Sequence, residues 1–302
     1  DIVGIPDRGE PGSRARVHQV AGNLRLAVDD DGLAGELLQV DAQRIGLVDE
    51  ALVSYRKVLE LAPNTPPSHS NLLLTMHYVS GLDPAEIFEE HKRFGRVHTP
   101  PALATRDFPN TPEPARRLRI GYVSPDIRQH SVAFFLEPLL DHRDRDRFEV
   151  YGYGAVKTPD EVTQRLRGKF DQYRNVFDMT MPHMAQTIKA DRIDILIDLA
   201  GHAGSLHAPV LGYKPAPVQV TYLGYPDTTG IEAVDYRITD WTADPAGAEA
   251  THTEQLVRLP DGFLCFRPPE DLPAIGAPPR AANGWVTFGS FNREFKVSRQ
   301  VL

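Results

Sequence analysis

From residue 117 onward, short apolar runs rich in β-branched residues alternate with stretches of helical periodicity, and this alternation limits the possible folds more than any other feature of the chain. Strands are expected at 118–123, 148–153, 193–199 and 218–223, with helices at 131–140, 159–168 and 184–190 between the first three. Strands that alternate with helices are typical of a parallel sheet covered on both faces. The pattern therefore predicts an α/β, Rossmann-like lobe spanning 117–270.

The segment before this lobe has a different period. Between Gly46 and Pro63, apolar residues recur at 51, 52, 55, 58, 59 and 61, which places them on one face of a helix that ends before the proline. Ser68 opens a second helix in the same register. This segment resembles the second helix of a tetratricopeptide repeat. We expect 1–97 to be a helical, tetratricopeptide-like region, with 17–45 as a degenerate neighbouring repeat and further repeats before Asp1.

Two further boundaries follow from composition. Prolines are dense in 98–116, which cannot sustain a helix or a central strand and is therefore expected to be a linker. Residues 280–302 contain an apolar run that leads into a polar turn, which we interpret as the start of a second, C-terminal nucleotide-binding lobe. Most of that lobe would lie beyond Leu302, so this segment alone is expected to be inactive.

Composition narrows the classes of partner. The formal net charge is -8, which makes a nucleic acid an improbable partner because duplex binding needs a basic face. There is one cysteine, Cys265, which fits a reducing compartment, and the first residues do not resemble a signal peptide. No apolar stretch has the length of a membrane span. We therefore expect a cytoplasmic protein that binds neither nucleic acid nor membrane.

Ligands of parallel α/β sheets bind outside the carboxyl ends of the strands, so the loops that follow the strands hold the candidate site residues. His130 follows the first strand at the start of a helix, where an imidazole can accept a proton and a helix N-terminus favours anions. His202 follows the third expected strand. For both histidines, the residues alone leave open a structural role in local packing.

The remaining candidates lie further along the chain. Leu223, Gly224 and Tyr225 form a turn after the fourth expected strand, where backbone amides and nearby threonines can bind sugar hydroxyls. Asn292 lies in the last turn, and Lys296 beyond it is able to neutralise a diphosphate. Taken alone, such a lysine is more often a solvated surface group.

Metal binding is not expected. Asp29–Asp31 and Asp144–Asp146 have the short acidic spacing that holds divalent ions beside sugar nucleotides, but both read better as solvated turn residues. The chain has no zinc-type cluster of histidine and cysteine.

Taken together, these segments resemble the O-GlcNAc transferase / SPINDLY family of protein glycosyltransferases. The residues that carry the resemblance occur in the family's order: RIGYVSPD at 119–126 with His130, IDILIDLAGH at 193–202, PAPVQVTYLGYPDTTG at 215–230, VDYRITD at 234–240, VRLP at 257–260 and TFGSFN at 287–292. The match runs from about residue 46 to the end of the chain.

The resemblance implies a GT-B glycosyltransferase with two Rossmann-like lobes, inverting and metal-independent, that moves a sugar from a nucleoside diphosphate to a Ser or Thr hydroxyl of a protein. It assigns His130 and Lys296 as catalytic residues, with Leu223, Gly224, Tyr225, His202 and Asn292 as substrate-binding residues. No cofactor is implied besides the nucleotide sugar, which acts as co-substrate. The acceptor protein or peptide would lie in the groove of the repeats.

Several alternatives stay open. UDP-GlcNAc is the favoured donor, but 234–260 looks closer to the SPINDLY branch, whose plant members use GDP-fucose. Arg293 and Glu294 stand where the family usually has a small polar residue, which also allows a non-catalytic, repeat-based protein-binding scaffold. A small-molecule enzyme of the same two-lobe fold is disfavoured by the repeat helices. Whether His130 acts as a base or positions the acceptor is undecided.

Overall fold

The computed structural model describes residues 16–20, 24–28, 48–100, 104, 107–113, 115–203, 207–268, 272–286 and 289. The chain divides into two compact units, one formed by 1–80 with 293–302 and the other by 81–292. Among the described residues, no helix is both long and apolar enough to cross a membrane.

The first unit contains two strands and two helices. Strand β1 (Arg16–Val20) pairs with β2 (Leu24–Val28) in antiparallel register. Helix α1 (Val48–Leu61) follows, and Pro66 opens α2 (Pro66–Met76) in the first-turn position that tolerates a missing N–H. The two helices pack together. Their expected helical pattern is thus confirmed over 48–76.

The helical expectation for 17–45 is wrong over 17–20 and 24–28, which lie in β1 and β2. In the sequence, Leu24, Leu26 and Val28 recur at a period of two, which is a strand pattern. The sequence Ala21-Gly22-Asn23 between the strands has residues that favour turns. The rest of 29–45 lies outside the described residues.

The second unit begins earlier than the expected linker. Helix α3 (Pro84–His98) is capped at its N-terminus by Asp83, whose side chain accepts a hydrogen bond of 2.9 Å from the Ala85 amide. This helix belongs to the same compact unit as the sheet. The boundary between the units therefore falls after Ser80, and not within 98–116 as the prolines predict.

The core of the second unit is a seven-stranded parallel sheet. Its strands are β3 (Leu118–Ser124), β4 (Phe148–Gly154), β5 (Gln172–Asn175), β6 (Ile195–Asp198), β7 (Val218–Thr221), β8 (Tyr236–Asp240) and β9 (Gln255–Leu259). The spatial order is β5-β4-β3-β6-β7-β8-β9, with every pair parallel. The order reverses between β3 and β6, which makes this a doubly wound sheet with its switch point there.

Helices α4 (Ser131–His142), α5 (Glu161–Arg167) and α6 (Met181–Ala190) lie in the connections between strands, as do 3₁₀ helices at Ala208–Tyr213 and Ala248–Thr251. The short α7 (Arg280–Asn283) follows β9. A continuous apolar cluster joins α4 and α5 to the sheet through Leu136, Leu166 and Val150. On the opposite face, Gly121 leaves room for Tyr153, Ile193 and Leu196. The α/β expectation is therefore confirmed.

Candidate active site

The loops at the switch point place His130 beside the buried Asp126, which in turn lies near the buried Asp198. The loop after β3 runs from Ser124 to His130, and the loop after β6 follows Asp198. In doubly wound sheets this is the crevice where ligands bind.

His130 forms the start of α4. Its backbone is extended (φ -155°, ψ 157°), and its Nδ1 accepts a hydrogen bond of 3.3 Å from the Val132 amide, which is an N-cap interaction. The same Nδ1 lies 3.7 Å from Oδ2 of Asp126, and the side chain is 38% exposed. The ring is thus held by its own loop and remains accessible to a ligand.

Asp126 is a buried acid in that loop. Burial is the largest influence on its pKa, which is raised, and the nearby His130 and Arg128 oppose the increase. An Arg128 guanidinium nitrogen lies 3.6 Å from Oδ1, while the His130 ring lies on the Oδ2 side. The carboxyl group is therefore flanked by a guanidinium and an imidazole.

The neighbouring loop after β4 holds the His130 loop in place. The Asp160 carboxylate accepts a hydrogen bond of 2.7 Å from the Gln129 amide and also caps α5 through Thr163. These backbone donors are the main reason why the pKa of Asp160 is lowered. The Ala155 amide donates to the Ser124 carbonyl at 2.9 Å. The loop thus has fixed points at both of its ends.

Asp198 is an acid that the sequence analysis did not single out. It ends β6 and is almost completely buried, and its Oδ2 accepts a hydrogen bond of 2.7 Å from the Gly201 amide. Its pKa is raised to about 6, mainly by burial and also by the nearby Asp126, against the opposing effect of the Gly201 and Ala200 amides. An acid at the end of a buried strand, three residues before a glycine, was the available signal.

The turn after β7, at the carboxyl end of that strand, has a strained backbone. Leu223 has φ 77°, and the Gly224 amide donates to the Tyr222 carbonyl at 3.0 Å, as in a γ-turn. A Cβ on Gly224 would lie 2.0 Å from the Leu199 carbonyl oxygen, so only glycine fits. Strain of this kind is often found at ligand sites. Leu223 and Gly224 therefore remain candidate contacts.

His202, predicted as a substrate contact, is buried within the lobe. His202 has no exposed surface, and its Nε2 lies 2.8 Å from the Thr229 carbonyl oxygen. The Phe94 ring of α3 packs edge-on against it, with the ring centroids 4.5 Å apart. The structural alternative, packing inside the lobe, is the one that the geometry supports.

Tyr225, the other predicted contact of this region, is buried as well. It is 2% exposed, its hydroxyl lies 2.7 Å from Nε2 of His91 in α3, and its ring centroid is 5.1 Å from that of His202. The physical reason is the same for both residues. Helix α3 covers this part of the sheet's edge, and the sequence analysis had assigned that helix to the repeat region.

The two threonines after Tyr225 also point inward. Thr228 and Thr229 are buried, and both hydroxyls donate to the carboxylate of Glu254, which also accepts a hydrogen bond of 2.7 Å from the Thr229 amide. They are therefore not available for sugar hydroxyls. Their role is to fix the loop on which α3 packs.

Two predicted site residues cannot be placed. Asn292 and Lys296 lie outside the described residues, as do Asp29–Asp31. Asp144 is a turn acid, as expected, because its Oδ1 accepts hydrogen bonds from the Asp146 and Arg147 amides at 3.0 and 3.2 Å. The convergence of His130 and Lys296 on one ligand therefore stays a prediction.

The fold and the carboxyl edge of its sheet together define a class of protein. It is a doubly wound α/β lobe with a histidine at the switch point, where such folds bind ligands. Residues 92–267 match the model of glycosyl transferase family 41, and the chain belongs to this family. The matched range contains the C-terminal half of α3, the whole parallel sheet and the loop of His130.

Individual relatives agree with this assignment. The chain is 38% identical over 248 residues to a probable UDP-N-acetylglucosamine–peptide N-acetylglucosaminyltransferase SPINDLY of Solanum lycopersicum, covering 81% of this chain and 27% of the relative. It is 40% identical over 252 residues to the Arabidopsis thaliana protein of the same description, covering 80% and 27%. The chain therefore spans about a quarter of the length of these curated relatives.

A solved structure shows the same architecture. A mutant of the O-GlcNAc transferase of Thermobaculum terrenum superimposes with a TM-score of 0.83 at 35% sequence identity, over 89% of this chain and 51% of that one. The resemblance to the O-GlcNAc transferase / SPINDLY family is thus confirmed.

Proposed function

We propose that the full-length protein is a protein O-glycosyltransferase that moves a sugar from a nucleotide sugar to Ser or Thr hydroxyls. The observation that carries this proposal is the family 41 match, which includes the switch-point crevice with His130. UDP-GlcNAc is the favoured donor, because the relatives' names specify UDP-N-acetylglucosamine and peptide acceptors. GDP-fucose is the alternative donor.

Glycosyl transfer changes the charge at two places, the acceptor hydroxyl and the leaving diphosphate. Attack on the anomeric carbon removes a proton from the acceptor hydroxyl, and the departing diphosphate gains negative charge. We assign the first task to the neighbourhood of His130 and the second to Lys296, with inversion at the anomeric carbon and without a metal ion or other cofactor. Acceptor peptides would lie in the repeat groove, and we place the reaction in the cytoplasm, where the single Cys265 stays reduced.

The test supplies the full-length protein with each nucleotide sugar separately and follows nucleotide release together with the mass gain of an acceptor protein. We expect transfer from UDP-GlcNAc. Transfer from GDP-fucose alone would change the donor and keep the function. Nucleotide binding by calorimetry without any transfer, or the absence of both, would favour the scaffold alternative.

Two variants test the site. His130→Ala should abolish measurable turnover while donor affinity is largely kept, since the ring acts on the acceptor side. His142→Ala, at the exposed opposite end of α4, is its control.

Lys296→Ala should abolish turnover and weaken donor binding, with Lys189→Ala in the last turn of α6 as its control. Normal kinetics in either site variant would remove that residue from the mechanism.

A further inference from the structure

The described geometry of His130 allows two protonation patterns, and each gives the ring a different role. When Nδ1 accepts the Val132 amide hydrogen, the neutral ring carries its proton on Nε2. In that form Nε2 can donate to an acceptor hydroxyl and position it, but it cannot take a proton. A base at Nε2 requires the proton to be on Nδ1, and that proton needs an acceptor.

Asp126 supplies that acceptor. Its Oδ2 lies 3.7 Å from Nδ1 of His130, and its Oδ1 faces Arg128 at 3.6 Å, so the two oxygens serve different partners. Since a hydrogen bond needs about 2.9 Å, small rotations of the two side chains would close the gap. The competing bond from Val132 is itself long at 3.3 Å.

The position of Asp126 is fixed by its surroundings. It is 6% exposed, and its own amide is 2.9 Å from the Ser124 hydroxyl oxygen. A carboxylate at such a site needs donors to offset the loss of water, which favours a proton on the facing imidazole nitrogen. Asp198 on the neighbouring strand adds negative charge on the inner side. The imidazole is on the exposed side.

We propose that Asp126 is the positioning residue that holds His130 with its proton on Nδ1, so that Nε2 serves as the general base of glycosyl transfer. This inference rests on the proposed function. In the step itself, the acceptor O–H bond breaks and its proton goes to Nε2. The acceptor oxygen bonds to the anomeric carbon, and the bond from that carbon to the diphosphate oxygen breaks with its electron pair on the diphosphate.

The first test needs no activity. The 302-residue chain, labelled with ¹⁵N in its 11 histidines, gives ring nitrogen shifts that distinguish the two neutral forms, and His130→Gln assigns the signal. We expect a protonated Nδ1 in the unchanged chain and a protonated Nε2 in Asp126→Asn. A proton on Nε2 in the unchanged chain would overturn the proposal and leave His130 as a positioner.

The second test uses the full-length protein. Asp126→Asn should lower kcat by about 10²-fold while the KM for the donor changes less than about threefold, because general-base catalysis is lost and donor binding is not. Asp126→Glu should recover kcat to within about tenfold of the original. Asp146→Asn removes the same charge from an exposed turn and should have no effect.

The outcomes separate the two proposals. Unchanged kcat in Asp126→Asn, or no recovery in the correctly folded Asp126→Glu, would overturn the role of Asp126. If the unchanged full-length protein transfers no sugar from any donor, the proposed function fails, and the nitrogen shifts still decide whether Asp126 sets the state of the ring.

Discussion

Burial determines the chemistry of single side chains at the carboxyl edge of this sheet. Asp198 and Asp126 have raised pKa values because water is excluded, whereas Asp160 has a lowered pKa because backbone amides surround it. Three aspartates near one another are thus in two opposite electrostatic states. Sequence distinguishes none of them, because the state depends on solvent exclusion and on backbone donors.

Asp198 should make the stability of the lobe depend on pH. Its pKa is about 6 in the folded lobe and about 3.9 when unfolded, so the folded form binds the proton more tightly. The resulting stabilisation is fully present below the unfolded pKa and is lost as the pH rises through 6. Relative to Asp198→Asn, the original chain should lose about 2 kcal/mol of unfolding free energy between about pH 4 and pH 7.

Urea unfolding of both chains at the two pH values measures this difference. Asp146→Asn is the control for a change of charge at an exposed position. Parallel pH dependence in the original chain and in Asp198→Asn would show that this carboxyl titrates normally.

Glu254 should be a strong stabilising residue although it is remote from the crevice. Glu254→Ala leaves the hydroxyls and amide of the threonine loop without their acceptor, at a cost of about 2–4 kcal/mol in unfolding free energy. Glu254→Gln should cost less, because its oxygen still accepts. Thermal or urea unfolding measures both, and Glu232→Ala on the exposed surface is the control; equal stability of Glu254→Ala and the control would contradict this role.

At the scale of elements, α3 is the piece that changes the interpretation of the site. Gly95 of this helix packs directly against the Gly230 carbonyl, and Gly230 itself has φ 68°. Neither position has room for a side chain. Because of this close approach, Phe94 packs against His202 and His91 contacts the Tyr225 hydroxyl. These contacts explain why the two loop residues are buried.

Gly95→Ala should therefore disturb the contact between helix and loop. Its Cβ would lie 2.0 Å from the Gly230 oxygen, and overpacking of this kind costs about 1–3 kcal/mol. Gly276→Ala, which has no atom within 4 Å of its Cβ, is the control. Differential scanning calorimetry compares the two chains, and an unchanged Tm for Gly95→Ala would mean that the helix moves away without cost.

The sequence predicted the elements with strong patterns. The four apolar strands and the helices between them carry clear periods, and His130 was found from its place after the first strand. Strand β5 is short, with Tyr173 as its one aromatic residue, and the buried positions of β8 are the polar Arg237 and Thr239, so neither strand has an apolar run that marks it. The burial of His202 depends on α3, about a hundred residues earlier in the chain, which local pattern cannot show.

At the scale of the whole molecule, the two compact units divide at Ser80. The lobe is therefore expected to be a folding unit that includes α3. The prolines of 98–116 look like a domain linker, but they connect a helix to the sheet of its own unit. Truncation experiments can separate these two descriptions.

A chain that begins at Gly81 should retain a cooperative unfolding transition of the lobe. A chain that begins at residue 104 lacks α3, exposes the aromatic cluster around His202, and should lose about 10 °C or more in Tm. Circular dichroism during heating measures both. Equal Tm values would show that the helix is dispensable and that the linker is the true boundary.

The hydrogen bond between His130 and the first turn of α4 has a consequence for observing the enzyme at work. Any event that moves the ring's proton to Nδ1 takes away the acceptor of the Val132 amide, so that amide becomes a natural reporter of the state of the ring. Its rate of exchange with deuterated water should therefore be higher in the original chain, where we expect the proton on Nδ1, than in Asp126→Asn, where the proton moves to Nε2 and Nδ1 accepts from the amide. A single backbone position would then report which ring nitrogen carries the proton.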